Sequence, residues 1–339
     1  MLAARMRFLR VLLWLLGGLV AFLWFTWSAG TLWFANLSSA PLRGALAGGY
    51  GLVLAGALLF VRPRKRGLAV ALGASAVVTL AYVLVRPSNE RDWIPDVAVT
   101  PTIARDGERI TVHGVRAFHY RSETDFDARW EDRSYDLTRL RTLDLLMSYW
   151  GPVDYCHTFV SFGFEGGEQL AVSVETRKEV GEGFSTLAGL FKRFELVYVF
   201  ADERDVIGVR TNFRGEHVYL YRLRARPDRL RGLLLSYIEH ANSLAEEPEF
   251  YGVIANSCGV NILHRVAETG AGNVFVGRDA LLNGFWDRHL YERGALDTHL
   301  PFEQLREASL IDARAQAAGD SPDFSRAIRV GLPEAPPWQ

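Results

Sequence analysis

Acidic residues are missing from the first 89 positions of this 339-residue chain, although nine basic residues (Arg5, Arg7, Arg10, Arg43, Arg62, Arg64, Lys65, Arg66 and Arg86) fall there. With nine of the 38 Lys+Arg located in that stretch, 29 remain against 39 Asp+Glu in residues 90–339, a net of −10 hidden behind a whole-chain charge of −1. The acidic portion excludes nucleic acid as a partner, because phosphate binding needs a basic face. Cysteine is nearly absent, with only Cys156 and Cys258, so one disulfide is the most the chain can form. The HExxH, CxxC and GxSxG patterns are all missing, so neither a metal site nor a serine hydrolase is expected. Gly163, Gly166 and Gly167 punctuate a turn and do not open a helix, so no phosphate-cradling loop and no cofactor are expected. No internal repeat and no low-complexity tract is found.

Three long apolar runs stand out, Val11 to Trp27 with a softer extension to Phe34, Gly44 to Val61, and Gly67 to Val85. Each is uncharged and close to the roughly 20 residues that a helix needs to cross a bilayer. A secretory signal is the alternative for the first, since three arginines precede it. Its length, its four tryptophans (Trp14, Trp24, Trp27, Trp33) and the two runs that follow favour three spanning helices instead. Basic loops stay cytoplasmic, so Arg5, Arg7 and Arg10, with Arg62-Pro-Arg-Lys-Arg66, place the N-terminus inside and everything after Arg86 outside. The expected location is the bacterial cytoplasmic membrane, with a periplasmic or extracellular domain. The runs hold no acid, histidine or lysine to form an ion path, so they read as an anchor rather than a transporter.

The expected division is a membrane anchor over 1–88, an exoplasmic catalytic domain over 89–270 and a C-terminal extension or arm over 271–339. Asp92 to Asp96 reads as a polar linker, and Arg109 to Tyr120 as a strand or strand pair carrying His113 and His119, both expected at the surface. Leu137, Leu140, Leu143, Leu146 and Met147 predict an amphipathic helix over Tyr135 to Trp150, closed by Gly151-Pro152. Val153 to Phe164 and Gln169 to Arg177 predict a hairpin around Glu165-Gly-Gly. Phe191 to Phe200, Val206 to Arg210 and His217 to Arg222 read as strands, with Asp202 to Asp205 as a charged turn. Arg226 to Leu244 reads as a helix. Aromatics alternate with charges over Arg278 to Arg293, a short helix is expected near Phe302 to Leu310, and a tail with Pro333, Pro336 and Pro337 ends the chain.

The chemistry centres on Pro248 to Glu268. Asn256 or Ser257 can cap a helix whose first turn holds Cys258, whose apolar positions are Val260, Leu263, Val266 and Ala267, and which Gly270 can end. The positive end of a helix favours thiolate over thiol; the plain alternative is a small buried packing residue. His157, at the head of the hairpin, is the base available to a thiol nucleophile. A third group should orient the imidazole. A three-residue loop over Glu165-Gly-Gly sets Glu175 opposite His157, whereas a two- or four-residue loop sets Thr176 there. A Cys156–Cys258 disulfide is the competing reading, and strand alternation makes it exclusive of the dyad.

Read together, Trp93-Ile-Pro-Asp96, Val115-Arg-Ala-Phe-His-Tyr120, His157-Thr-Phe-Val-Ser-Phe-Gly-Phe164, Ser173-Val-Glu-Thr-Arg-Lys-Glu179, Pro248-Glu-Phe-Tyr251, Asn256-Ser-Cys258 and Leu290-Tyr-Glu-Arg-Gly-Ala-Leu-Asp297 resemble the Lnb N-terminal periplasmic domain family. The resemblance implies an α+β fold: three transmembrane helices, then a permuted papain-like (NlpC/P60-like) domain with an antiparallel sheet and a cysteine-bearing helix. It implies Cys258 as nucleophile, His157 as base and Glu175 as orienting acid. The implied activity is lipoprotein transacylase-like acyl transfer, with a membrane lipid or lipoprotein as substrate. The sequence departs from the family at Asn256-Ser-Cys-Gly-Val260, where Asn-Asn-Cys-Thr-Thr is expected, so no role for flanking hydroxyls carries over. A cell-wall peptidase or amidase of NlpC/P60 type and a non-catalytic interaction domain are the alternatives.

Overall fold

A computed structural model describes residues 2–37, 39–151, 153–271 and 282–333. Pro152, positions 278–281 of the aromatic and charged stretch, and Pro336 and Pro337 lie outside the described residues. The chain divides into two units, one of residues 1–87 with 184–194 and one of 88–183 with 195–339.

In the first unit the apolar runs form α1 (Leu2–Trp33), α2 (Ala40–Phe60) and α3 (Arg64–Leu84). All three are long and apolar enough to cross a membrane, which makes the chain an integral membrane protein. Small buried residues, Ala57 on α2 with Gly67, Ala71 and Ser75 on α3, let these helices approach closely. Their few polar side chains satisfy one another, Tyr50 Oη to Ser75 Oγ at 2.6 Å and Trp24 Nε1 to Thr79 Oγ1 at 2.9 Å.

The second unit is built on a sheet. The strands are β1 (Thr102–Asp106), β2 (Arg109–Arg116), β3 (His119–Tyr120), β4 (Phe126–Asp127), β5 (Trp130–Asp136), β6 (Leu140–Tyr149), β7 (His157–Phe164), β8 (Gln169–Arg177), β9 (Glu195–Ala201) and β10 (His217–Leu223). The main sheet runs β1-β2-β9-β8-β7-β6-β10, with β5 also on β2, and β3 pairs with β4 apart from it. Its pairs are antiparallel except a single parallel step between β2 and β9. α5 (Pro227–Glu246) buries Leu230, Leu233, Leu234, Tyr237 and Ile238, and the Tyr237 ring meets Phe162 of β7.

The helix expected over Tyr135 to Trp150 is instead the end of β5 followed by β6. Leu143 through Tyr149 are buried at every position because β6 is paired on both edges and covered on both faces. A continuous apolar run of this length satisfies helical spacing by coincidence. Val206 to Arg210 is not a strand: α4 (Glu203–Val206) begins at Asp202, whose carboxylate accepts the Arg204 N–H at 2.9 Å, and a π-helical turn covers Val209–Phe213. An N-cap outweighs the β propensity of Val206 and Ile207, whose side chains join the core. Residues 191–194 stand outside β9. His113 and His119 lie near the surface, on Asp132 and Asp320.

The C-terminal stretch expected as a peripheral arm is part of the core. After a helix over Phe302–Ser309 come two more, Asp312–Ala318 and Phe324–Ala327. Ile311, Ala315, Phe324 and Ile328 pack with Leu146, Phe159, Ala171, Val199 and Leu220. Arg329 seals this layer by pairing with both Asp144 and Glu203, two fully buried carboxylates. The apolar positions are few but all point inward, a pattern too sparse to read without the sheet beside it. Phe324→Ala should therefore destabilise the sheet unit by about 3–5 kcal/mol, measured by denaturant unfolding of the detergent-solubilised chain; a loss below about 1 kcal/mol would mean the ring is not core.

Candidate active site

The helix that carries Cys258 is α6 (Cys258–Val266), capped by Ser257, whose Oγ accepts the Val260 N–H at 3.4 Å. Asn256 is not the cap but the tie that holds the preceding loop. Its Nδ2 donates to Glu249 Oε2 and the Phe250 carbonyl, and its Oδ1 accepts from Asn261 Nδ2 at 2.8 Å. Gly270, at φ 74°, closes the π-helical turn that follows α6. A Cβ on Gly259 would stand 3.2 Å from the Trp286 ring, so at the position where the family pattern has threonine this helix start is packed tight against an indole.

The hairpin supplies the other partners. Gly166 and Gly167 take φ of 99° and 92°, which only glycine adopts without strain. The three-residue turn they make closes with Phe164 N donating to the Glu168 carbonyl at 2.8 Å. The ladder runs Gly163↔Gln169 to Val160↔Val172, and the same register carried onward sets His157 opposite Glu175. Thr176 is therefore not the partner. Beyond Val160 the β7–β8 ladder stops while β8 stays paired to β9 as far as Arg177. The Cys258 thiol lies at this opening, in reach of His157 on one face of β7 and of Thr158, 3.8 Å away, on the other.

His157 Nε2 lies 2.7 Å from Ser173 Oγ and 3.1 Å from Glu175 Oε1, and Ser173 Oγ donates to the same carboxylate oxygen at 2.7 Å. Nε2 being so engaged, Nδ1 is the nitrogen left for the thiol. Arg210, itself buried, donates from Nη2 to Glu175 Oε1 at 3.0 Å and from Nη1 to the Val206 carbonyl, and lies over the Phe159 ring. Asn283 Nδ2 is 3.9 Å from Cys258 Sγ while bonding the Cys156 carbonyl at 2.7 Å.

These neighbours set the protonation states. Burial pushes the His157 pKa down, but the Glu175 charge and hydrogen bonds to Cys258 and Glu175 overturn that and raise it to about 9. Burial raises the Cys258 thiol; the His157 hydrogen bond and charge, with Thr158, bring it below the ordinary thiol value. Glu175, which burial would protonate, is held well below the usual carboxylate range by His157 and Arg210. The stable form is thus thiolate beside imidazolium, a coupled pair. Cys156 is the contrast: burial pushes its thiol well up. Both cysteines are free, so the disulfide reading falls.

The structure thus brings Cys258, His157 and Glu175 together. Ser173, Arg210 and Asn283 were not foreseen. Ser173 had a signal, since it shares the polar face of β8 with Glu175 two residues away. Arg210 had none, because the segment reads as a strand, and Asn283 reaches the thiol only through tertiary packing. Among the described residues no group of three His, Cys, Asp or Glu side chains is placed to hold a metal ion. Residues 126–276 match the family described as the Lnb N-terminal periplasmic domain. No curated protein and no solved structure matches the chain.

With the thiol lowered and the ring raised, alkylation of Cys258 by iodoacetamide should already be fast below the ordinary thiol range and change little up to about pH 9. Glu175→Gln removes the charge that raises the ring, so the profile should move toward that of a plain thiol. Peptide mapping separates Cys258 from Cys156. A wild-type profile that rises only near pH 9 would refute the ion pair.

Proposed function

We propose that this membrane protein, whose residues 126–276 are an Lnb N-terminal periplasmic domain, is a thiol acyltransferase acting on lipid or lipoprotein acyl esters at the outer leaflet of the bacterial cytoplasmic membrane. The observation that carries the reading is the thiolate–imidazolium pair at the start of α6, oriented by a buried carboxylate. Joined side chains of this kind argue against a non-catalytic interaction domain. The order histidine, then cysteine, on a strand and a helix start supports the permuted papain-like assignment. Basic residues at the N-terminus and between α2 and α3, with none of the acidic ones, support a cytoplasmic N-terminus and a periplasmic domain.

In the first half-reaction the Cys258 thiolate attacks the ester carbonyl carbon, forming the C–S bond. The tetrahedral oxyanion lies near two donors, the Cys258 backbone N–H, now given to the Tyr251 hydroxyl, and the Asn283 carboxamide. A well-placed oxyanion donor contributes about 3 kcal/mol. The C–O bond then breaks and His157 gives its proton to the departing alkoxide, leaving an acyl-thioester and a neutral ring. An amine, or water, attacks the thioester next; His157 takes its proton and the thiolate leaves. Glu175 keeps the ring in the orientation and tautomer both halves need, and Arg210 and Ser173 hold Glu175.

Exposed apolar side chains favour an acyl substrate over the muropeptide of a cell-wall amidase. Val153, Tyr155, Ile254 and Phe285 are all solvent-facing, on the loops that lead into His157, Cys258 and Asn283. Incubating the full-length protein with phospholipid or diacylated lipopeptide should add one fatty-acyl mass to Cys258. The Cys258→Ala variant should lose adduct and transfer together. Transfer at the wild-type rate by Cys258→Ala would sink the proposal, and cleavage of muropeptides without any acyl adduct would move the assignment to the amidase.

A further inference from the structure

Between β8 and β9 the chain leaves the sheet, and residues 184–194 group with the three apolar helices. The Phe191 ring sits where a Cβ on Gly30 would stand, 2.6 Å from its edge, and stacks on Phe34 at 5.3 Å. Gly30 lies three residues before the end of α1, about 4.5 Å down the helix axis, so the ring reaches past the helix end. Lys192 Nζ donates to the Tyr82 carbonyl at 3.1 Å and lies over the Tyr82 ring, beside the end of α3. Arg193 Nη1 donates to the Ala35 and Leu37 carbonyls at 2.6 and 2.9 Å, just past the end of α1. Lys192 takes φ 55°, a conformation costly for a side-chain-bearing residue, and this reversal turns the chain back toward β9.

Three apolar side chains of the same segment have no protein covering: Phe184 is 49% exposed, Leu187 61% and Leu190 39%. They stand beside helix ends that are themselves built for hydrocarbon, and the basic pair beneath them is of the kind that marks a membrane–water boundary. An apolar cluster continuous with spanning helices and edged by lysine and arginine is the composition of an interfacial element.

We propose that residues 184–194 are embedded in the lipid leaflet at the end of α1 and α3, with Phe184, Leu187 and Leu190 inserted among acyl chains and headgroups. The occupant of this surface is lipid. The segment continues directly from the strand that carries Glu175 and leads directly into β9, so it ties two central strands to the leaflet. It stands independently of the Cys258 chemistry.

The test uses the full chain in nanodiscs of phosphatidylethanolamine and phosphatidylglycerol, with the photoreactive residue p-benzoylphenylalanine in place of Leu187 and, separately, of Phe184. Leu80 of α3, 59% exposed, serves as the lipid-facing reference. Illumination should give phospholipid adducts at 187 and 184 as it does at 80, detected by mass spectrometry. The Cys258→Ala background should give the same adducts, since the contact does not use the thiol. Adducts at 80 with none at 187 and 184, or adducts to a second copy of the chain in place of lipid, would overturn the proposal.

Discussion

A carboxylate without water must find cations, and the buried Glu175 has two, the imidazolium of His157 and the guanidinium of Arg210. Much of the sheet unit follows from that requirement. The hairpin register sets Glu175 against His157, the π-helical turn brings Arg210 to its other side, and Val206 and Ile207 bury the turn in the core. Removing any one member leaves an uncompensated charge, the costliest defect a protein interior can hold. The ion cluster is therefore both a demand on the fold and the source of the thiolate.

The second thiol shows how local the tuning is. Cys156 and Cys258 share Asn283 as a neighbour, yet burial drives the Cys156 thiol up while His157 brings the Cys258 thiol down. Position relative to one ring separates an inert thiol from a reactive one. Asn283 itself joins the site only because the chain returns after α6 to pack Trp286 against Gly259 and to bond Cys156. The start of α6 is thus walled by an element distant from it in sequence.

The two units differ in what holds them. Between the membrane helices, small residues and a few satisfied hydroxyls allow close approach, since apolar burial gives little drive among lipid tails. In the sheet unit, layers on both faces bury β6 to β9 almost completely, and carboxylates buried there, such as Asp144 and Glu203, are matched by arginine.

The sequence alone determined what local chemistry dictates. Uninterrupted apolar length marked the three helices, paired glycines marked the hairpin turn, and a serine before a cysteine marked the start of α6. Motif order marked the family and, with spacing, nominated Cys258, His157 and Glu175. Only the tertiary structure decided the rest, because it depends on what covers each face. β6 reads as a helix until its two neighbours bury every position, and residues 302–332 read as an arm until the sheet receives their sparse apolar side chains. Arg210 reads as part of a strand until Asp202 caps a helix before it. Glu175 hung on one residue of hairpin register, and the left-handed glycines settled it in favour of a three-residue turn.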